Sequence, residues 1–419
     1  MKNYKELAKI FHMDSSSSRD ANILKEFDMR FDAKSTFHTG FKTPNGELFI
    51  AVPRELSALS ERILRTERKV SNLLRQLPNI AQNAVLRSMV LDEVVSTNYI
   101  ENIHSTRRQI KNAIDSVASD KAETQRFREL AMQYLSIIDD NTTLPETPED
   151  IRAIYDLLTE GVIPEKNVPD GKIFRKEGVD ITADGVRVIH SGLEPESKII
   201  EAIEKMLKIA NDESIPALYS AISSHYLFEY AHPFYDGNGR TGRYLLSLYL
   251  SRALSAPTAL SLSKTISENK EGYYRAFKTV EDPLNRAELT FFVSTILEMV
   301  RSAQFRIIER LKSCISTLVS IEKTIETISE NKRTKGKERD IIYLLLQYEA
   351  FGLFGDATLS DIANYLKIKT PQTRKYMASL KDKGICQKVS KYNPVTFALT
   401  KEFKSEINAR SFHDVDGAL

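Results

Sequence analysis

From Glu288 to Glu330 the chain contains neither glycine nor proline. Val293, Ile296 and Val300, then Ile307, Ile308 and Leu311, recur there at helical spacing. Strands usually span only about 5–6 residues, so an unbroken stretch of this length predicts one or two long helices. It ends at the basic breaker Asn331-Lys332-Arg333-Thr334-Lys335-Gly336-Lys337, which reads as a linker. A helix so long needs other elements to cover its apolar stripe, and the rest of the chain supplies helices. Helical patterning covers 54–77, 81–101, 110–138, 148–158, 197–210, 217–230 and 241–254. The expected fold class is mainly α.

One segment departs from that texture. Between Pro164 and Pro195, glycines 171, 178, 185 and 192 punctuate a run in which Val179, Ile181, Val186 and Val188 alternate with polar residues. Asp184-Gly185 lies between the alternating runs and predicts a β-hairpin over Val179–Val188. A lone hairpin is marginal by itself, so it must pack on something or serve something. Residues 1–44, with the serine tract 15–18, read as a polar lead-in.

After the breaker the pattern changes again. An apolar helix over 341–348 precedes a short helix with Ile362 and Leu366, capped by Thr358 or Ser360. Thr370-Pro371 then supplies an N-cap and a first-turn proline for a helix ending near Gly384. Strand-like runs 385–391 and 395–399 follow, joined by Tyr392-Asn393-Pro394. This order is similar to a winged helix-turn-helix module over 338–400, with 401–419 as a tail. Residues 331–400 hold 13 Lys and Arg against 6 Asp and Glu, whereas the whole chain is nearly neutral at +2. Gln372, Arg374 and Lys375 would face a groove if the module binds DNA; a protein contact is the competing reading.

Length, at 419 residues, allows two or three domains, and 42% hydrophobic with 28% charged residues excludes a disordered chain. Two cysteines, Cys314 and Cys386, exclude a disulfide framework and a four-cysteine zinc site, and both read as small buried hydrophobes. Residues 1–20 lack a signal-peptide apolar region, and no run is long enough to cross a membrane. The expected location is cytoplasmic, without membrane contact.

The chemistry concentrates in His232-Pro233-Phe234-Tyr235-Asp236-Gly237-Asn238-Gly239-Arg240-Thr241-Gly242-Arg243. One helix ends near Ala231 and another begins near Gly239. Between them, two glycines let backbone N–H groups approach a ligand, and the second helix aims its positive end at the same place. Arg240 and Arg243 share a helix face and offer forked donors to a polyphosphate. Asp236 is a hard oxygen ligand suited to Mg2+ shared with phosphate oxygens. His232 is placed to take a proton from an attacking hydroxyl. Spacing excludes an EF-hand, and no P-loop sequence occurs. Together these residues suit phosphoryl or nucleotidyl transfer.

This segment resembles the Fic-domain signature H-x-F-x-[DE]-G-N-G-R-x-x-R at every specified position. The resemblance implies a mainly helical enzyme that moves AMP from Mg-ATP to a hydroxyl of a Ser, Thr or Tyr on a target protein, itself included. It implies His232 as general base and Asp236 as magnesium ligand. Asn238 with the Gly237 and Gly239 amides would hold the α-phosphate region, Arg240 and Arg243 would engage the β- and γ-phosphates, and Phe234 would anchor the loop. The expected hairpin stands where the family carries a target-docking flap, and Gly171-Lys172-Ile173-Phe174-Arg175 resembles the stretch before it. Tyr273-Tyr274 resembles the paired tyrosines of the base pocket, with Tyr274 as the ATP-binding ring and core packing as the alternative.

Thr97-Asn98-Tyr99-Ile100-Glu101-Asn102 resembles the family's inhibitory motif [ST]-x-x-x-E-[GN]. Through it Thr97, Glu101 and Asn102 become inhibitory residues, Glu101 pairing with Arg243 in place of the γ-phosphate. The resulting layout is an N-terminal helical region with the inhibitory helix at 45–115, a catalytic core at 116–305, a connecting helix and linker at 306–337, then the C-terminal module. A homodimer accords with the family. Two alternatives stay open: hydrolytic removal of AMP, and a DNA-binding regulator whose nucleotide site acts as a sensor.

Overall fold

The computed structural model describes residues 3–117, 126–139, 142–183, 187–331, 334, 336–352, 355–390 and 394–407. The fold is mainly helical. The breaker-free stretch forms a single helix, Thr290–Asn331, of 42 residues. Its apolar positions Val293, Ile296, Val300, Ile307 and Leu311 are buried, as the spacing requires. The chain divides into two units: residues 1–68 with 89–305, and residues 69–88 with 306–419.

In the first unit two helices, Ala217–Ala231 and Asn238–Leu250, lie at the centre of the core. Nearly every side chain of both is buried. A helix buried on all sides shows no polar face, and in the first of the two Ser220 and Ser224 turn their hydroxyls back onto its own carbonyls, Ser224 to that of Ser220 at 2.7 Å. Helix Pro148–Thr159 starts at a capping box, Thr147 with Asp150, and has Pro148 in its first turn. Helix Glu196–Ala210 packs against Ala217–Ala231, with Ile199, Ile203 and Met206 buried.

Strands Asp180–Ala183 and Arg187–Ser191 pair antiparallel, with a register irregularity between Ile181 and Thr182. The Asp184-Gly185 turn lies outside the described residues.

The lead-in expected over residues 1–44 is, from residue 3 on, built into the first unit. They form helices Leu7–Met13 and Arg19–Phe31 and a strand, Phe37–Thr43, that pairs with Gly46–Ile50. Few of their residues are buried, which hides the helices from a periodicity reading. What fixes them is distant: Phe27 and Phe31 pack edge-on against Phe49, and Tyr4 donates to Glu288 at 2.6 Å.

The second unit has its own core, including Ile341, Leu345, Ile362, Leu380 and Leu399. Its elements run helix Lys337–Phe351, strand Asp356–Thr358, helices Leu359–Leu366 and Thr370–Asp382, and strands Cys386–Lys388 and Thr396–Leu399. The last strand lies between the other two in a three-stranded antiparallel sheet. Thr358 with Asp361 makes the cap of the short helix. The strand Asp356–Thr358 was not legible, being only three residues long. Tyr392-Asn393 and the tail beyond 407 lie outside the described residues, as do linker positions 332, 333 and 335. Both cysteines are buried and unpaired. Among the described residues, no helix is long and apolar enough to cross a membrane.

Candidate active site

The loop 232–237 is held by three devices. His232 ends the first central helix with φ +48°, and Gly237 begins the second with φ +86°. At Gly237 a Cβ would also meet Thr159 Cγ2 at 2.9 Å, so glycine is required twice over. Phe234 is fully buried, stacked on Tyr155 with centroids 3.6 Å apart and set edge-on to Phe174.

Arg175 supplies the third device. Fully buried, it donates from Nε to the His232 carbonyl at 2.9 Å, and from its terminal nitrogens to Glu177 and Leu193 carbonyls at 2.6 and 2.9 Å. Its backbone N–H donates to Pro233 O at 3.2 Å. The Gly-to-Arg stretch before the hairpin thus clamps the end of the helix that carries His232.

Asn238, expected among the ATP-binding residues, spends its amide inside the loop. Oδ1 accepts from Phe234 N at 2.9 Å and Nδ2 donates to Phe234 O at 2.7 Å. Its side chain therefore shapes the turn, and a phosphate contact from this residue is left to its backbone N–H.

A cavity opens beside the loop, lined by His232, Gly239, Arg243, Glu101 and Glu229, with Ile181 and His190 from the hairpin and Tyr273, Tyr274 and Phe277 opposite. The His232 Nδ1 is sealed from solvent, which leaves Nε2 as the nitrogen for exchanging a proton. Burial, then the nearby charge of His190, lowers its pKa to about 3. The ring is therefore a neutral base at physiological pH.

Arg240 is completely buried, and all three of its guanidinium nitrogens lack a hydrogen-bond partner. Burial presses its pKa down, and Asp236 is the counter-charge that opposes this most strongly. A sealed guanidinium with unused donors is costly unless an anion completes it.

Arg243 is equally buried but satisfied. Its Nε donates to Thr97 Oγ1 at 2.9 Å, and Nη2 donates to Thr97 O at 3.2 Å and to Glu101 Oε1 at 2.8 Å. Burial works against its charge, but the charges of Glu101, Tyr273 and Glu229 with the Glu101 hydrogen bond together outweigh it and raise the pKa. The same Glu101 oxygen lies 2.1 Å from where a Cβ on Gly239 would stand. Glu101 thus rests on the N-terminal turn of helix Asn238–Leu250, whose first N–H groups have no intrahelical partners. Asn102 adopts φ +56° just after helix Asn79–Ile100 and is exposed, so it stops the helix and stays out of the cavity.

The paired tyrosines divide their work. Tyr273 is buried, its hydroxyl 2.8 Å from His225 Nε2. Tyr274 is 41% exposed and lines the cavity.

Among the described residues, no group of three or more His, Cys, Asp or Glu could hold a metal ion. Asp236 is a lone carboxylate beside an anion cradle, a donor set that suits Mg2+ completing its shell with phosphate oxygens and water.

Two carboxyls of the site carry no local sequence signal. Glu229 packs against Gly242, where a Cβ would meet its Oε1 at 2.2 Å, and burial raises its pKa to about 8. Glu93 is fully buried, accepts from Ser263 N at 3.0 Å, and is raised by burial to about 7.

Residues 145–250 match the Fic/DOC family model. The matched segment contains the loop, both central helices and the hairpin. Similar curated proteins are protein adenylyltransferase fic-1 of Caenorhabditis briggsae, 29% identical over 137 residues, covering 32% of this chain and 25% of that one. A probable protein adenylyltransferase of Aquifex aeolicus (strain VF5) is 32% identical over 129 residues, covering 31% and 35%. The chain therefore spans only about a quarter to a third of the length of these relatives. Among solved structures, a Fic family protein from Desulfovibrio desulfuricans G20 is 20% identical with a TM-score of 0.46, covering 81% of this chain and 96% of that one.

Proposed function

We propose that the protein is an adenylyltransferase that moves AMP from Mg-ATP to a hydroxyl side chain of a protein, and that Glu101 restrains it. The observation that carries this reading is the contrast between two buried arginines. Arg240 has no partner, while Arg243 is occupied by a carboxylate lying on a helix N-terminus. A carboxylate in that position stands in for a phosphate, and the terminal phosphate of ATP must displace it to reach Arg243.

The residues divide the chemistry among themselves. The Gly237 and Gly239 amides and the N-terminal turn face the α-phosphate, Arg240 and Arg243 neutralise the outer phosphates, and Tyr274 flanks the base. Asp236 would hold Mg2+, which supplies charge neutralisation on the phosphates. His232 Nε2 accepts the proton of the target hydroxyl as its oxygen bonds to the α-phosphorus and the bond to pyrophosphate breaks. Arg175 keeps the imidazole in place through the His232 carbonyl.

We read the second unit as a winged helix-turn-helix module, supported by its element order and by helix Thr370–Asp382 with Arg374 and Lys375 exposed. DNA and protein are its candidate partners. Two unpaired cysteines accord with a reducing, cytoplasmic setting. The test of the reaction is His232→Ala in the Glu101→Gly protein. Labelling of protein with radioactive ATP should vanish while Mg-ATP affinity stays within about threefold. Labelling at an undiminished rate would remove His232 from the mechanism.

A further inference from the structure

His190 sits near the end of hairpin strand Arg187–Ser191 and lines the cavity with His232. Its Nε2 lies 2.8 Å from the Tyr230 carbonyl oxygen, and its Nδ1 lies 3.1 Å from Glu281 Oε1. Both partners are acceptors only. A neutral imidazole has one N–H, so one of these contacts would set lone pair against lone pair. Only the imidazolium satisfies both.

The surroundings favour that form. Glu281 is the last residue of helix Lys270–Glu281, where its charge sits badly against the negative end of the helix and gains from a cation. Burial opposes the charge on His190, but the Glu281 hydrogen bond and charge, with the Tyr230 carbonyl, outweigh it and raise the pKa. The groups around the ring are Glu229 and Tyr230 from helix Ala217–Ala231, His232 from the loop, and Glu281 from helix Lys270–Glu281, with Lys278 on the same cavity wall.

We propose that His190 is a positioning residue whose imidazolium latches the hairpin to Tyr230 and Glu281, fixing one wall of the nucleotide cavity. The proposal rests on the reading that this cavity takes a nucleotide. Because the folded state raises the pKa, the latch is complete below pH 6.5 and opens as pH climbs through the raised value. The Glu229 carboxyl, raised by burial to about 8, titrates within the pH range scanned below, so its Gln variant is the necessary control.

Nitrogen NMR of the histidine-labelled full chain reads the latch directly. At pH 6.5 both His190 nitrogens should be protonated, its titration should move down by about one unit in Glu281→Gln, and the His232 titration should move up in His190→Gln. A His190 that is neutral at pH 6.5 would overturn the proposal. Calorimetric titration of Mg-ATP into the Glu101→Gly protein from pH 6.5 to 9.5 reads the consequence. Affinity should fall at least about fivefold with a midpoint that tracks His190, persist in Glu229→Gln, and become flat in His190→Gln. A fall that survives His190→Gln would also overturn it. Failure of the nucleotide reading shows separately as no Mg-ATP binding at any pH, while the NMR titration still decides whether the latch exists.

Discussion

The Glu101 carboxylate and the Arg243 guanidinium meet at 2.8 Å, and the same oxygen touches the first turn of the helix that carries Arg243. One side chain from a distant segment therefore fills two anion-binding features at once. Thr97, a helical turn earlier, holds the guanidinium on its other edge. The segment 97–101 thus contacts the Arg243 guanidinium from two sides.

Arg240 should show the opposite balance of stability and function. Replacing it with Met removes a sealed charge without hydrogen bonds, so the ligand-free protein should gain about 1 kcal/mol or more in denaturant unfolding. In the Glu101→Gly background, Mg-ATP should raise the melting temperature of the parent and leave Arg240→Met unmoved. A destabilised variant that still responds to Mg-ATP would show that Arg240 is structural.

Arg175→Lys should separate binding from chemistry. Lysine cannot span the carbonyls of His232, Glu177 and Leu193 together, so the loop loses its clamp. In the Glu101→Gly background, kcat should fall at least about tenfold while Mg-ATP affinity changes less than about threefold. An equal loss in both would assign Arg175 to the fold alone.

The acid side of the pH profile follows from His232. Its pKa in the folded protein is about 3, lowered by burial and by His190. A histidine shifted this way stabilises the fold above pH 6.5 and loses that contribution as pH falls toward 3, because the unfolded chain takes the proton first. His225, also about 3 through burial and the Arg243 charge, acts in the same direction. Labelling by Glu101→Gly should therefore show no histidine limb between pH 7 and 5.5. An activity half-point near 6.5 that coincides with a His232 titration near 6.5 by nitrogen NMR would contradict the buried neutral imidazole.

Gly237→Ala should destabilise through backbone and packing together. The position has φ +86°, and the added methyl would meet Thr159 and Tyr155. A loss of about 1–3 kcal/mol is expected by circular dichroism on denaturant titration, and an unchanged midpoint would contradict the described loop.

How much of this was legible follows from where the determinants lie. The motif 232–243 is contiguous, so its glycines, arginines and histidine declare themselves together. Glu101 was readable through a short motif. Its contact with Gly239 needed coordinates, because the two are far apart in sequence. Asn238 shows the limit of a motif: its place was legible, but its amide is used up on Phe234. Tyr273 and Tyr274 are adjacent and both line the cavity, but one is buried and the other 41% exposed, and only the direction of their helix decides between them. The elements before Gly46 bury few residues and are fixed by long-range partners such as Glu288 and Phe49, so no local period marks them. Glu229 and His190 matter through charge and hydrogen bonding across elements, which spacing does not encode.

The restraint by Glu101 is tested most directly by intact-mass measurement of the wild type and Glu101→Gly after incubation with Mg-ATP and a bacterial lysate. Adduction by AMP on the enzyme or on lysate proteins should rise at least about tenfold in the variant, from the loss of one charged, partly buried pair. It should disappear again when His232→Ala is added. Equal AMP adduction by wild type and variant, with equal Mg-ATP affinity, would contradict the claim that Glu101 occupies the place of a phosphate.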